Sequence, residues 1–294
     1  MTGSRGGYGD PPRKDLILRR SSMTRDTGLI EMIRPPQGRR FRFVLFDFDG
    51  TVSLFREGWQ GVIIPMMVDV LAPVAAGLDR DAVTRLVTDD IVRTTGLPTI
   101  VQMMGLADRV KEFGGTPREP KAYKAEYLRR LHERIRGRLE AVASGATDRD
   151  AMLVAGARAF LEALSERDLV LCLASGTDEP DVREEARLLD VARYFGPHIY
   201  GARDDYEASS KSSVIGRMLA ENRIEGRDLV VFGDGFVEIA NGKEVGGYAV
   251  AVASDEVAGG GRVNQWKRGR LLGAGADMVI PDFACHAELL RLLF

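Results

Sequence analysis

Asp47 and Asp49 stand two positions apart in the run Asp47-Phe48-Asp49-Gly50-Thr51, and two carboxylates crowded this closely repel each other unless something neutralises them. A hard divalent cation such as Mg²⁺, which takes oxygen ligands, suits that task. A second acidic pair, Asp234 and Glu238, is four apart in Gly233-Asp234-Gly235-Phe236-Val237-Glu238. Two further stretches carry polar groups that could serve a ligand: Ser175-Gly176-Thr177, and Lys211 at the opening of a helical pattern. Each has a plainer reading. Asp with Gly makes surface turns, an acid in the first turn of a helix is favoured by the dipole, and loops of Ser, Thr and Gly follow many strands.

The surrounding elements weigh against the plainer readings. Phe41-Arg42-Phe43-Val44-Leu45-Phe46 reads as a buried strand that runs straight into Asp47. Further apolar runs lie at Leu169–Ala174, His198–Tyr200, Leu229–Phe232, Tyr248–Ala253 and Met278–Ile280. Helical patterns separate them, among them Glu179–Leu189, Ser212–Glu221 and Val263–Leu272, as in the parallel sheet of an α/β protein. In such a sheet the polar stretches all emerge at the carboxyl edge, where open α/β folds bind ligands.

Between the first two of these strands the chain has an insert of helices, with patterns at Trp59–Val74, Asp81–Thr94 and Pro120–Ala143. A crossover needs only one helix, so the surplus must form a lobe of its own. The predicted organisation is a flexible basic leader over 1–40, an α/β core over 41–55 and 157–294, and a helical lobe over 56–156. The leader is read as a dispensable extension, with a basic docking arm as the alternative.

With strand ends and polar runs in this order, the sequence resembles the haloacid dehalogenase superfamily. Its phosphatase branch with a helical first-type cap, typified by phosphoglycolate phosphatase and β-phosphoglucomutase, is the nearest match. Asp47-Phe48-Asp49-Gly50-Thr51 matches the first motif, Ser175-Gly176-Thr177 the second, Lys211 the third and Asp234 to Glu238 the fourth. The third match is the loosest, because relatives often have Lys-Pro where this chain has Lys211-Ser212. The resemblance implies a Rossmann-like parallel sheet flanked by helices, a cap inserted after the first strand, and Mg²⁺ held by Asp47, Asp49, Asp234 and Glu238. It further implies Asp47 as nucleophile, forming an aspartyl-phosphate, Asp49 as acid and base, and Ser175 and Lys211 as supports of the phosphoryl group. Thr51, Gly176 and Thr177 would contact the substrate. Asp49 sets the chain apart from carbon–halogen hydrolases, which need no second acid, and leaves phosphatase, phosphomutase or a non-catalytic binder of phosphorylated ligands.

In capped enzymes of this kind the cap reads the leaving group. Arg56, Glu57, Trp59 and Gln60 follow the first motif closely enough to face a cleft, although a solvated helix start explains them too. Arg93-Thr94-Thr95-Gly96-Leu97-Pro98-Thr99 joins hydroxyls and a cation, so Arg93 and Arg56 are the expected substrate-binding cations and a small phosphorylated metabolite, a sugar phosphate first, the expected partner. A net charge of −2 and a pI near 6.0 give no reason to expect nucleic acid or an anionic membrane. With only Cys172 and Cys285, neither a disulfide framework nor a cysteine zinc site can be built, which fits a cytoplasmic protein.

Overall fold

The computed structural model describes residues 29–203, 211–222, 225–255 and 261–294, and of Lys211, Arg217 and Asn222 only the backbone. The chain opens with β1 (Glu31–Met32) and β2 (Phe43–Phe46), then passes through four helices, α1 (Gln60–Leu71), α2 (Arg80–Thr94), α3 (Thr99–Glu112) and α4 (Pro120–Ala143). From α5 (Ala157–Ser165) onward strands and helices alternate: β3 (Val170–Asp178), α6 (Glu179–Leu188), α7 (Ala192–Phe195), β4 (Ile199–Ala202) and α8 (Lys211–Asn222). The last elements are β5 (Leu229–Gly233), α9 (Phe236–Glu244), β6 (Tyr248–Val252), α10 (Gln265–Gly273), β7 (Met278–Ile280) and α11 (His286–Leu293).

Seven strands form one sheet in the order β1-β7-β6-β5-β2-β3-β4, parallel throughout except for β1. All four residues of β2 are buried, as its unbroken apolar run requires of a strand covered on both faces. Its register sets the site: Phe46 lies opposite Leu173 of β3 and Phe232 of β5, and the Asp47 N–H donates to the Phe232 carbonyl at 2.9 Å. The residues that follow Phe46, Leu173 and Phe232 therefore reach one edge of the sheet at one level, although β3 itself continues to Asp178.

Alternation along β2 sends Val44 and Phe46 into one apolar layer and Phe43 and Leu45 into the other, against Val214, Ile215 and Met218 of α8. In the first layer Phe46 stacks on Phe232 with ring centroids 5.0 Å apart, and Phe160 of α5 stacks on Phe283 at 5.3 Å while meeting Phe232 edge-on.

The helical cap after β2 has an apolar cluster of its own, to which Ile63, Met66, Val87, Ile91, Met103, Leu106 and Tyr127 contribute. The third helix of the insert, α3, is absent from the expected patterns. Its buried Met103, Leu106, Ala107 and Val110 do have helical spacing, but the preceding Gly96 and Pro98 mark the segment as a connection.

The expected leader over 1–40 needs correction at its end. Ile30 is buried, Glu31 pairs with Val279 at the edge of the sheet, and Arg268 holds the Glu31 carboxylate at 2.6 Å. A two-residue strand leaves no period to read in a sequence, so the order ahead of Phe41 has no signal there. Residues 1–28 lie outside the described residues. Among those described, no helix is long and apolar enough to cross a membrane.

Because Phe160 is fully buried and touches three other rings of the aromatic cluster, Phe160→Ala should cost about 3–5 kcal/mol. Urea unfolding checks this, and a loss under about 1 kcal/mol would show that the cluster collapses around the gap.

Candidate active site

Two neighbouring strand ends bring three acids together. Asp47 follows β2 directly, Asp234 follows β5, and Glu238 stands in the first turn of α9. One carboxylate oxygen of each lies within 4.8 Å of the others. Their loops are tied together by short-range features. The Asp234 N–H donates to the Thr51 hydroxyl at 3.0 Å, and the Gly235 N–H donates to Glu238 Oε1 at 2.6 Å. Gly50 adopts φ 77°, and a Cβ there would stand 2.3 Å from Asp234 Oδ2, so only glycine lets the two loops approach. An all-oxygen set of three buried or half-buried carboxylates fits a hard divalent cation and offers nothing to a soft one.

Asp49 does not join this cluster as expected. Its carboxylate turns toward β3, where the Ser175 and Thr177 hydroxyls both donate to Oδ2 at 2.9 Å. Strand alternation would place both acids on one face, but β2 ends at Phe46 and the chain then turns, the Val52 and Ser53 N–H groups donating to the Phe48 carbonyl, so Asp49 leaves that period. Among the described residues Asp49 Oδ1 is buried with no hydrogen-bond partner, and Arg56 Nε stands 3.8 Å from it.

Arg56 is itself buried and is shared among carboxylates: it binds Glu185 at 2.7 Å and Asp181 at 3.1 Å, both on α6. Burial alone would lower its proton affinity, but Glu185, Asp49 and Asp181 outweigh it and hold the guanidinium charged. With three carboxylates around one guanidinium, burial pushes the Glu185 carboxyl up, to about 7, against the pull of Arg56. Lys124 of α4 adds a contact to Asp178 at 2.5 Å, so this flank of the cap is fastened to the core by charge.

A cavity of about 150 Å³ lies between the acids and the cap. Asp47, Asp49, Ser175, Gly176, Thr177, Asp234 and Glu238 line its floor, while Arg56, Glu57, Trp59 and Gln60 line it beside α1. Thr95, Gly96, Leu97 and Thr99 also reach it, with the Leu97 carbonyl packed against Gly176.

Two expected substrate contacts are placed elsewhere. Thr51 is fully buried and spends its hydroxyl on Asp234, because its position inside the turn points it between loops. Arg93 lies in the last turn of α2, pairs with Asp90 one turn back, and lines a different cavity enclosed by α1, α2 and α3. The side chain of Lys211, at the start of α8, lies outside the described residues.

One wall was not anticipated. Trp266, Lys267, Arg270 and Leu271 of α10 line the cavity, and Lys267 Nζ lies 2.9 Å from Asp234 Oδ2. The helix was legible at Val263–Leu272, but its cations at three-residue spacing look like a solvated face. Their role follows from where α10 packs, which a linear pattern does not carry.

Gly50→Ala should weaken Mg²⁺ binding by about tenfold or more, about 1.4 kcal/mol, by driving Asp234 out of the cluster. Calorimetric titration measures this, with circular dichroism as the check on folding. Unchanged affinity in a folded variant would show that Asp234 is not a ligand.

The comparisons with known proteins agree with this architecture. Residues 41–246 match the family model described as haloacid dehalogenase-like hydrolase. A search of curated proteins finds no match. Among solved structures, a predicted phosphatase from Clostridium acetobutylicum has a TM-score of 0.55 at 18% identity, covering 86% of this chain and 100% of that one. A predicted phosphoglycolate phosphatase from Haemophilus somnus has a TM-score of 0.53 at 16% identity, covering 85% and 98%. A haloacid dehalogenase-like family hydrolase from Streptococcus pneumoniae has a TM-score of 0.53 at 18% identity, covering 85% and 97%. At such identities the structures share the fold, whereas the family model spans well over half of the sequence and includes both acidic motifs. The chain therefore belongs to the haloacid dehalogenase-like hydrolases.

Proposed function

We propose that the protein is a Mg²⁺-dependent phosphatase that hydrolyses a small phosphate monoester through an aspartyl-phosphate at Asp47. The observation that carries this reading is the convergence of Asp47, Asp234 and Glu238 on one point, with Asp49 held beside them under the cap. Those three acids would hold the cation, which when bound supplies positive charge to the phosphoryl oxygens and relieves the repulsion among the carboxylates.

The remaining chemistry belongs to side chains of the chain itself. An Asp47 oxygen attacks phosphorus, the ester bond breaks, and the leaving oxygen takes the proton of the Asp49 carboxyl. Asp49, now a carboxylate, takes a proton from water as that water attacks the same phosphorus, which releases inorganic phosphate and returns Asp47. Ser175 and Thr177 fix the Asp49 carboxylate for both steps. Lys211 is assigned a charge-balancing role on motif order alone. The cap residues that line the cavity keep bulk water from the intermediate. Gln60, Thr95, Thr99, Gln102 and Tyr127 give that cavity hydroxyl and amide groups suited to a compact hydroxylated leaving group, which favours sugar phosphates.

Asp47→Asn should abolish Mg²⁺-dependent phosphate release while leaving the fold intact. Turnover near the wild-type rate would remove Asp47 as nucleophile. Asp49→Asn should lose most turnover of alkyl phosphates and keep more with a good leaving group such as nitrophenol, in assays of released phosphate. An equal loss on both would refute the proton-transfer role. Chelation by EDTA should stop the wild type and added Mg²⁺ restore it, without any bisphosphate activator, the requirement that would instead mark a mutase.

A further inference from the structure

Among the described residues three cations line the cavity: Arg56, Lys267 and Arg270. The first is committed to Glu185 and Asp181, and the second lies against Asp234. Arg270 differs from both, since its guanidinium pairs with no carboxylate among the described residues. One Nη2 hydrogen bond goes to the Val92 carbonyl near the end of α2, and the guanidinium carbon sits 5.4 Å from the centre of the Trp266 ring, four residues back on the same helix face. A guanidinium has five N–H donors, so this arrangement fixes its plane while leaving most of them for the cavity.

Position then separates its role from that of the phosphoryl site. Asp47 and the other acids form the floor, at the carboxyl edge of the sheet. Arg270 reaches from α10 to the cap and contacts it two residues before Thr94, at the start of the loop that roofs the cavity. A phosphoryl group seated on Asp47 leaves this roof to the leaving group. Burial lowers the Arg270 pKa, with Glu238 and Asp234 acting in the other direction, which is the state of a cation that gains from an incoming anion. Trp266 is 56% exposed and lines the same cavity, so its ring is available to cover a ligand bound there.

We infer that Arg270, braced by Trp266 and the Val92 carbonyl, binds an anionic group on the leaving part of the substrate. The ester cleaved is then a phosphorylated acid or a bisphosphate, among sugar phosphates a sugar-acid phosphate or a sugar bisphosphate, rather than the monophosphate of a neutral sugar or alcohol. This rests on the phosphatase reading and narrows its substrate class. A carboxylate and a second phosphate share the chemistry that a fixed guanidinium recognises, bidentate pairing of oxygens with N–H donors.

Matched esters test the inference in the full-length protein with Mg²⁺. Phosphoglycerate is compared with glycerol phosphate for the carboxylate, and a sugar bisphosphate with the same sugar's monophosphate for the phosphate. The wild type should prefer the anionic member of one pair by about tenfold or more in kcat/KM. Arg270→Met should collapse that preference to about twofold or less, chiefly through KM, and Arg270→Lys should retain part of it. Equal use of both members by the wild type would overturn the inference, as would a parallel loss on both members in Arg270→Met. The same pairs are titrated against Asp47→Asn by tryptophan fluorescence, where the anionic member should bind about tenfold more tightly and lose that advantage with Arg270→Met. If no ester, nitrophenyl phosphate included, is hydrolysed by the wild type, the phosphatase reading fails. The binding comparison still decides the role of Arg270, since equal affinity for both members would overturn it.

Discussion

Bringing an oxygen each from Asp47, Asp234 and Glu238 within 4.8 Å sets three like charges against one another, and at such separations each pair costs about 4 kcal/mol at an effective dielectric constant near 20. Nothing in the local sequence favours this arrangement, and the fold has to impose it. Level parallel strands supply the coarse placement, through the registers of Phe46 with Leu173 and with Phe232. Fine placement comes from the missing Cβ of Gly50, the Thr51 hydroxyl and the Gly235 N–H, each of which fixes a loop that carries an acid. The aromatic layer behind β2 and β5, with Phe46 stacked on Phe232, resists the relaxation that repulsion favours.

A second charge cluster joins the cap to the chemistry. Arg56, at the point where the chain leaves the core for the cap, is held by Asp181 and Glu185 of α6 and stands 3.8 Å from Asp49. The guanidinium at the entry to the cap is thereby next to the residue proposed to move the proton. On the other flank Arg270 reaches the cap at Val92. The cavity is thus flanked by two guanidiniums rooted differently, Arg56 paired with carboxylates and Arg270, among the described residues, with none.

Much of this was legible in the sequence because parallel strands announce themselves as buried apolar runs and because motif acids fall at their ends. The positions of β2, β3, β5, β6 and β7 follow from those runs, and the gathering of Asp47, Asp234 and Glu238 follows from their order. What escaped depended on tertiary placement. The two-residue β1 has no period, and α3 begins behind a Gly and a Pro that mimic a loop. Asp49 and Asp47 look equivalent in the chain but part company in space. Arg93 promised a cation in the cleft, whereas its place in the last helical turn directs it to Asp90. Arg270 carries no signal of its own in the helical pattern at Val263–Leu272, because only the packing of α10 beside the cap shows which cavity it faces.

The central claim is that Asp47 itself becomes phosphorylated. Its most direct measurement is a borohydride quench of the wild-type protein during turnover with Mg²⁺ and a hydrolysed ester, followed by peptide mass spectrometry. Reduction of an acyl phosphate converts aspartate to homoserine, so the account predicts homoserine at position 47, dependent on both ester and Mg²⁺. Reduction at another carboxylate, or phosphate release with position 47 unmodified throughout, would contradict it.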